Sequence, residues 1–144
     1  MIPKFRAYIT YGYTSQELND PDLFEEIQET GLGFIDAPDL IDFKNERIKY
    51  DSEWYENDRF RLMQSTGLKD KNGKEIFEGD ICYWKDPEPF NDEVIEDIFE
   101  VTWSDEFLRW AAVNEGGINS LYEFTDDREL KIIGNIYENK ELIK

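Results

Sequence analysis

Hydrophobic and polar residues alternate along most of this chain in short runs, the pattern typical of β-strands. We assign strands to residues 3–10, 60–66, 81–84, 98–104, 107–114, 118–124 and 130–137, and a hairpin to residues 40–50. Gly134 interrupts the last run, which suggests a bulge or a close approach of backbone. So many short strands at this spacing predict a mainly β fold, either a small, strongly bent barrel or a sandwich.

Three segments depart from the strand pattern. Residues 20–30 carry helical signals, because Asp20 can cap a helix, Pro21 suits its first position and Gly31 ends it. We expect this helix to pack on a sheet through one apolar face. Residues 51–59 are polar around two aromatic residues and are predicted to be a connection. Residues 85–97 hold two prolines and six acids, so we expect a mobile acidic loop.

The stretch LMQSTGLKDKNGKEIFEGDI, residues 62–81, concentrates turn residues between strands. Asp70 and Gly73 fit a type I turn whose last residue is left-handed, and Glu78-Gly79-Asp80 makes a second reversal. A phosphate-binding loop needs more glycines followed by Lys-Ser/Thr, and a calcium loop needs acidic residues at positions where this stretch has none. We therefore interpret the stretch as a determinant of the fold and not as a site.

Composition narrows the chemistry. A chain of 144 residues suffices for one ordinary domain with a core. The absence of histidine excludes imidazole catalysis and Ser-His-Asp arrangements within the chain. The single Cys82 excludes an intrachain disulfide and a cysteine-based zinc site, and its apolar neighbours predict a buried core thiol. No run approaches the roughly 18 apolar residues of a membrane span, so a cytoplasmic location is expected.

Charge is high and uneven. The net charge of −18 disfavours direct binding to nucleic acid or to an anionic membrane. Residues 15–30 and 85–100 are strongly acidic, whereas residues 59–74 form a basic island. The candidate partner surface consists of the basic residues Arg59, Arg61, Lys69, Lys71 and Lys74. They either keep a hairpin soluble or meet an acidic segment of a second copy, which predicts a homo-oligomer.

Two other classes of function stay open. Rows of carboxylates can imitate the phosphates of DNA and inhibit a host DNA-binding or restriction protein. The residues proposed for such a surface are Glu17, Asp20, Asp22, Glu25, Glu26 and Glu29. For an enzyme, acids recur every third residue at Asp36, Asp39 and Asp42, but that spacing does not place them on one strand face. We therefore assign no catalytic residue, no metal ligand and no cofactor.

Several stretches resemble the YopX-like proteins of phages and prophages. They are PKFRA (3–7), IDFKNERIKY (41–50), residues 62–81, Val-Thr-Trp (101–103) and IIGNIYENKEL (132–142). Ser65 and Phe77 depart from the residues usual in that family, and residues 11–38 and 51–59 match nothing in it. The resemblance implies a single YopX-like domain over residues 1–144, with a less typical insertion at about 11–38.

That domain is expected to be an SH3-like β-barrel with hairpins and one short appended helix. The resemblance implies no catalytic residues. We expect a phage-encoded, acidic binding or assembly protein in the bacterial cytoplasm, whose partner is itself or an unidentified phage or host protein.

Overall fold

The computed structural model describes residues 4–10, 15–23, 34–35, 38–56, 59–125 and 129–143. The chain divides into two compact units, Met1–Ser65 and Thr66–Lys144, which we call unit 1 and unit 2. Strand β6 (Phe60–Lys69) crosses the boundary and contributes its first half to unit 1 and its second half to unit 2. The predicted mainly β fold is confirmed, with a curled half-barrel sheet and short helices.

Unit 1 contains antiparallel strands joined by short turns. Its strands besides β6 are β1 (Phe5–Ile9), β2 (Phe34–Ile35), β3 (Leu40–Asp42), β4 (Arg47–Tyr50) and β5 (Glu53–Glu56). Strand β1 pairs with β2 and with the first half of β6, and β4 lies between β3 and β5. The prediction that residues 51–59 form only a connection is wrong, because Tyr55 pairs opposite Ile48 and is buried, which draws this polar segment into a strand.

Strand β1 is buried on both faces within unit 1. Ala7 and Ile9 pack with Ile35, Ile48 and further apolar side chains from β5 and β6. The other face of β1 is covered too, although alternation alone predicts a polar face there. Tyr8 is buried on that face.

The predicted helix at residues 20–30 lies within the described residues only at its beginning. The structure has a short helix α1 at Ser15–Leu18 and a 3₁₀ turn at Pro21–Leu23. Asp20 precedes the 3₁₀ turn, and its Oδ1 accepts the backbone N–H of Asp22 at 2.9 Å, as a capping residue does. The α-helix prediction is wrong for residues 21–23, which form a turn of the tighter 3₁₀ type, and residues 24–30 lie outside the described residues.

Unit 2 is built on a five-stranded antiparallel sheet in the order β11-β10-β9-β8-β12. Its strands besides β6 are β7 (Glu75–Phe77), β8 (Asp80–Lys85), β9 (Glu96–Ser104), β10 (Arg109–Asn114), β11 (Gly117–Ser120) and β12 (Lys131–Asn135). The predicted strand at 118–124 is wrong beyond Ser120, because residues Leu121–Thr125 form helix α2. Leu121 is completely buried, so the helix fills the core of the unit.

Two details of unit 2 confirm sequence-based expectations. Cys82 is completely buried among apolar residues such as Phe99 and Val101, as predicted for a core thiol. The register of β12 against β8 shifts between Ile132 and Gly134, which is the predicted bulge. Residues Lys140–Leu142 form a 3₁₀ turn. None of the helices in the described part of the chain has the length and hydropathy of a membrane span.

Candidate binding cleft

The hairpin between β6 and β7 is held by one buried carboxylate. Oδ1 of Asp70 accepts the backbone N–H groups of Asn72 and Lys74, both at 2.9 Å, and its Oδ2 accepts that of Ile132 at 3.2 Å. Gly73 closes the turn with φ +81, the left-handed conformation that glycine adopts without steric cost. The predicted turn is therefore present, and its acidic residue is engaged with backbone.

A cleft of about 530 Å³ lies beside this hairpin. Its lining comprises Gly67, Leu68, Lys69, Asp70, Lys71 and Gly73 from the hairpin, with Tyr122 and Thr125 from helix α2. Tyr122 is 63% exposed, so an aromatic residue is accessible at the wall of the cleft. We call this feature the lysine cleft.

The lining of the lysine cleft contains more basic than acidic side chains. Lys69, Lys71 and Lys74 are exposed, and among the described residues none of them forms an ion pair. The carboxylate in the lining belongs to Asp70, which is 8% exposed and already accepts three backbone N–H groups. The cleft therefore presents two ammonium groups and one aromatic ring, which suits a carboxylate-bearing ligand with an apolar part.

A second cleft in unit 2, of about 550 Å³, is acidic. Its lining includes Glu96, Asp97 and Glu115. The Tyr83 hydroxyl donates to Oε2 of Glu96, and Nδ2 of Asn114 donates to Oδ1 of Asp97 at 2.6 Å. The hydrogen bond to Glu96 raises the pKa of Tyr83 above its ordinary value.

These contacts leave the carboxylates bonded to neutral donors. Within the described residues, no group of three or more acidic or cysteine side chains is arranged to hold a metal ion. The acids at every third position have structural contacts where they are described. Asp39 accepts the backbone N–H of Asp51 at 3.1 Å, Asp42 forms a 3.0 Å ion pair with Arg47, and Asp36 lies outside the described residues.

The residues of the predicted basic island are divided between the two units. Arg59 and Arg61 belong to unit 1, and both are exposed. Arg61 donates from Nη1 to the backbone oxygen of Phe60 at 2.9 Å. The three lysines belong to unit 2, where the structure brings Lys69 and Lys71 together at one cleft.

The proposed DNA-mimic row is described only at its beginning. Glu17 lies in helix α1, Asp20 lies between α1 and the 3₁₀ turn, and Asp22 lies in that turn. These three residues therefore do not share one continuous helix. The other members of the row, Glu25, Glu26 and Glu29, lie outside the described residues.

Tyr122 is the aromatic residue of the cleft, and the sequence pattern did not identify it as a site residue. The sequence pattern places it in a strand, whereas helix α2 leaves its ring exposed beside the lysines. A Leu-Tyr-Glu-Phe-Thr segment after a serine was the available signal, since serine commonly caps a helix.

Comparisons with known proteins place the chain in a family. The model of the family described as "YopX protein" matches residues 22–144. The chain is similar to a crystal structure of protein EF1440 from Enterococcus faecalis, with 26% sequence identity and a TM-score of 0.58. That match covers 100% of this chain and 99% of EF1440. No curated protein matches. Because the family match extends over most of its length, the chain belongs to the YopX family.

Proposed function

We propose that this protein is a phage- or prophage-encoded binding or assembly protein without catalytic activity, which acts in the host cytoplasm and associates with itself. The phage origin rests on the resemblance of its motifs to YopX-like proteins. The proposed activity rests on the lysine cleft, where two exposed lysines without an ion pair among the described residues stand on a chain with a net charge of −18.

Charge explains why a second copy is the favoured partner. The chain has 34 acidic residues against 16 basic ones, so a second copy offers many carboxylates to the cleft. Exposed ion pairs contribute only about 0–1 kcal/mol each, so they chiefly fix the register of a contact. The exposed ring of Tyr122 adds the apolar surface that such a contact needs.

Sedimentation velocity over a concentration series tests self-association directly. We expect the wild-type protein to associate at about 0.15 M salt and to lose the part of its affinity that comes from ion pairs at about 1 M salt, where the screening length is near 3 Å. The double variant Lys69→Glu/Lys71→Glu is expected to associate about 10-fold more weakly, or worse, under the first condition.

A control must distinguish the loss of the cleft lysines from the more negative net charge of the variant, because repulsion between copies at −18 also opposes association. Lys44→Glu/Lys131→Glu makes the same change in net charge at two exposed positions outside the lining of the cleft. We expect this control to associate almost as the wild type does. A wild-type protein that remains monomeric up to about 100 µM, well above a micromolar Kd, would contradict the proposal.

DNA mimicry is the second candidate function. In its favour, the acidic region beyond β8 presents the exposed carboxylates of Glu88, Glu93 and Glu96. A pull-down from a nuclease-treated host lysate tests it. Recovery of a host DNA-binding or restriction protein that duplex DNA displaces would support mimicry, and recovery of the protein itself alone would favour self-assembly.

A further inference from the structure

The segment between β8 and β9, which we call the acidic loop (residues 86–95), has a defined form. The backbone N–H of Asp86 donates to the oxygen of Ile95 at 2.8 Å and closes its base. A 3₁₀ turn at Phe90–Asp92 forms its tip, where Asn91 has φ 63. Pro87 and Pro89 fix the backbone before the tip, which lowers the entropy lost when such a loop binds.

An aromatic side chain stands at the tip of the acidic loop. Phe90 is 83% exposed, the largest exposure among the large hydrophobic side chains of the described residues. Val94 on the same loop is 67% exposed. Glu88 and Glu93 flank the tip and are exposed as well. The loop therefore combines an apolar anchor with negative charge on both sides.

The lysine cleft has the complementary features. Its lysines are opposite in charge to the acidic side chains of the loop. The exposed Tyr122 offers an aromatic side chain against which Phe90 can pack. A volume of about 530 Å³ also suits an aromatic side chain and the residues beside it. Phe90 is 83% exposed, so its side chain does not fill the cleft of its own copy.

We propose that the acidic loop of one copy binds the lysine cleft of a second copy. Phe90 packs against Tyr122, and Glu88 and Glu93 approach Lys69 and Lys71. This inference rests on the proposed self-association and names the two surfaces that form it. Each copy carries one loop and one cleft, so the contact joins two different surfaces, and repetition of the contact builds a ring or a chain unless two copies close reciprocally.

Single-side variants test the contact by sedimentation velocity. Phe90→Ala removes the anchor, and its Kd for self-association is expected to rise about 30-fold, as for an aromatic hot spot. Lys69→Glu/Lys71→Glu is expected to raise the Kd about 10-fold or more, since attraction becomes repulsion. Phe107→Ala, which truncates another exposed phenylalanine, is the matched control and is expected to leave the Kd unchanged.

Mixing the two defective variants gives the sharpest test. The cleft of the Phe90→Ala variant and the loop of the Lys69→Glu/Lys71→Glu variant are both intact, so the mixture retains one native contact. We expect a one-to-one complex with the mass of two chains, at a protein concentration at which each variant alone is monomeric. Circular dichroism and thermal unfolding of each variant check that the fold is kept.

The possible failures are distinct. A monomeric wild type would overturn the proposed self-association together with this contact. If the Phe90→Ala variant associates as strongly as an associating wild type, the contact between loop and cleft is overturned, while the proposed self-association stands. A mixture that stays monomeric, while the wild type associates, would show that the loop and the cleft do not bind each other.

Discussion

Replacement of Asp70 by alanine should be among the more damaging single changes to unit 2. It removes the acceptor for three backbone N–H groups, those of Asn72, Lys74 and Ile132. Asn72 and Lys74 are exposed, so their N–H groups regain water and each loss costs about 1 kcal/mol. Ile132 is half-buried, and its lost bond to a charged acceptor costs about 2 kcal/mol. We expect a decrease of about 4 kcal/mol in the free energy of unfolding.

Urea unfolding followed by tryptophan fluorescence measures this loss, with the slope of the transition checked for constancy. Asp86→Ala is the matched control, because Asp86 is half-buried and accepts one local bond, the N–H of Glu88 at 3.0 Å. Its expected cost is about 0.5–1 kcal/mol. Asp70→Asn should be intermediate, because its amide nitrogen cannot accept a hydrogen bond.

Amide hydrogen exchange locates the effect within the unit. Asp70→Ala should accelerate exchange at the amide of Ile132, whereas the amide of Phe77, which donates to Oδ2 of Asp80 at 2.8 Å, should be much less affected. Equal costs for Asp70→Ala and Asp86→Ala would refute the reasoning. The hairpin would then be held by its backbone bonds, such as Asp70 N–H to the oxygen of Lys74 at 2.8 Å.

Three further outcomes follow from the packing of unit 2. Gly134→Ala should lower the free energy of unfolding in urea by about 2–3 kcal/mol, because the new Cβ would lie 2.6 Å from Oδ1 of Asn139. Gly73→Ala should lower it by about 1 kcal/mol, because Gly73 has φ +81 but open space around its Cα. Burial raises the pKa of the Cys82 thiol, and a thiol reagent should label this residue only on unfolding. The free energy of unfolding should fall as pH rises above the ordinary thiol pKa of about 8.5, because there the thiol ionises only in the unfolded chain. Leu121→Ala should cost about 3 kcal/mol by calorimetry, since the side chain is completely buried; a cost below that of Gly73→Ala would contradict the assignment of helix α2 to the core.

Local turn chemistry made much of the fold predictable from sequence. Asp70 and Gly73 specify their turn through contacts with residues at most four positions away, besides the bond to Ile132. The bulge at Gly134 was likewise signalled by a glycine inside a strand pattern. Such features depend on backbone conformation that few residue types permit, so they are visible without knowledge of the fold.

The failures concern elements whose conformation depends on distant contacts. The segment containing Tyr55 reads as polar, and it becomes a strand because that one ring is buried against the core of unit 1. The segment from Leu121 onward alternates as a strand does, yet it turns into helix α2, whose Leu121 reaches the core. For the site, charge identified Lys69 and Lys71, whereas Tyr122 was missed because its exposure follows from that helix.

The family stretch at residues 62–81 therefore contains two kinds of residue with different consequences. Asp70 is buried and bonded to backbone, so its replacement should lower stability and disturb the cleft only through the hairpin. Lys69 and Lys71 are exposed and without an ion pair among the described residues, so their replacement should leave stability nearly unchanged and act on association directly. Measuring the free energy of unfolding and the Kd for self-association for the Asp70 and lysine variants distinguishes residues that stabilise the fold from residues that form the contact. If the lysine variants lowered stability as much as association, the cleft would be a structural feature of the hairpin and not a contact surface.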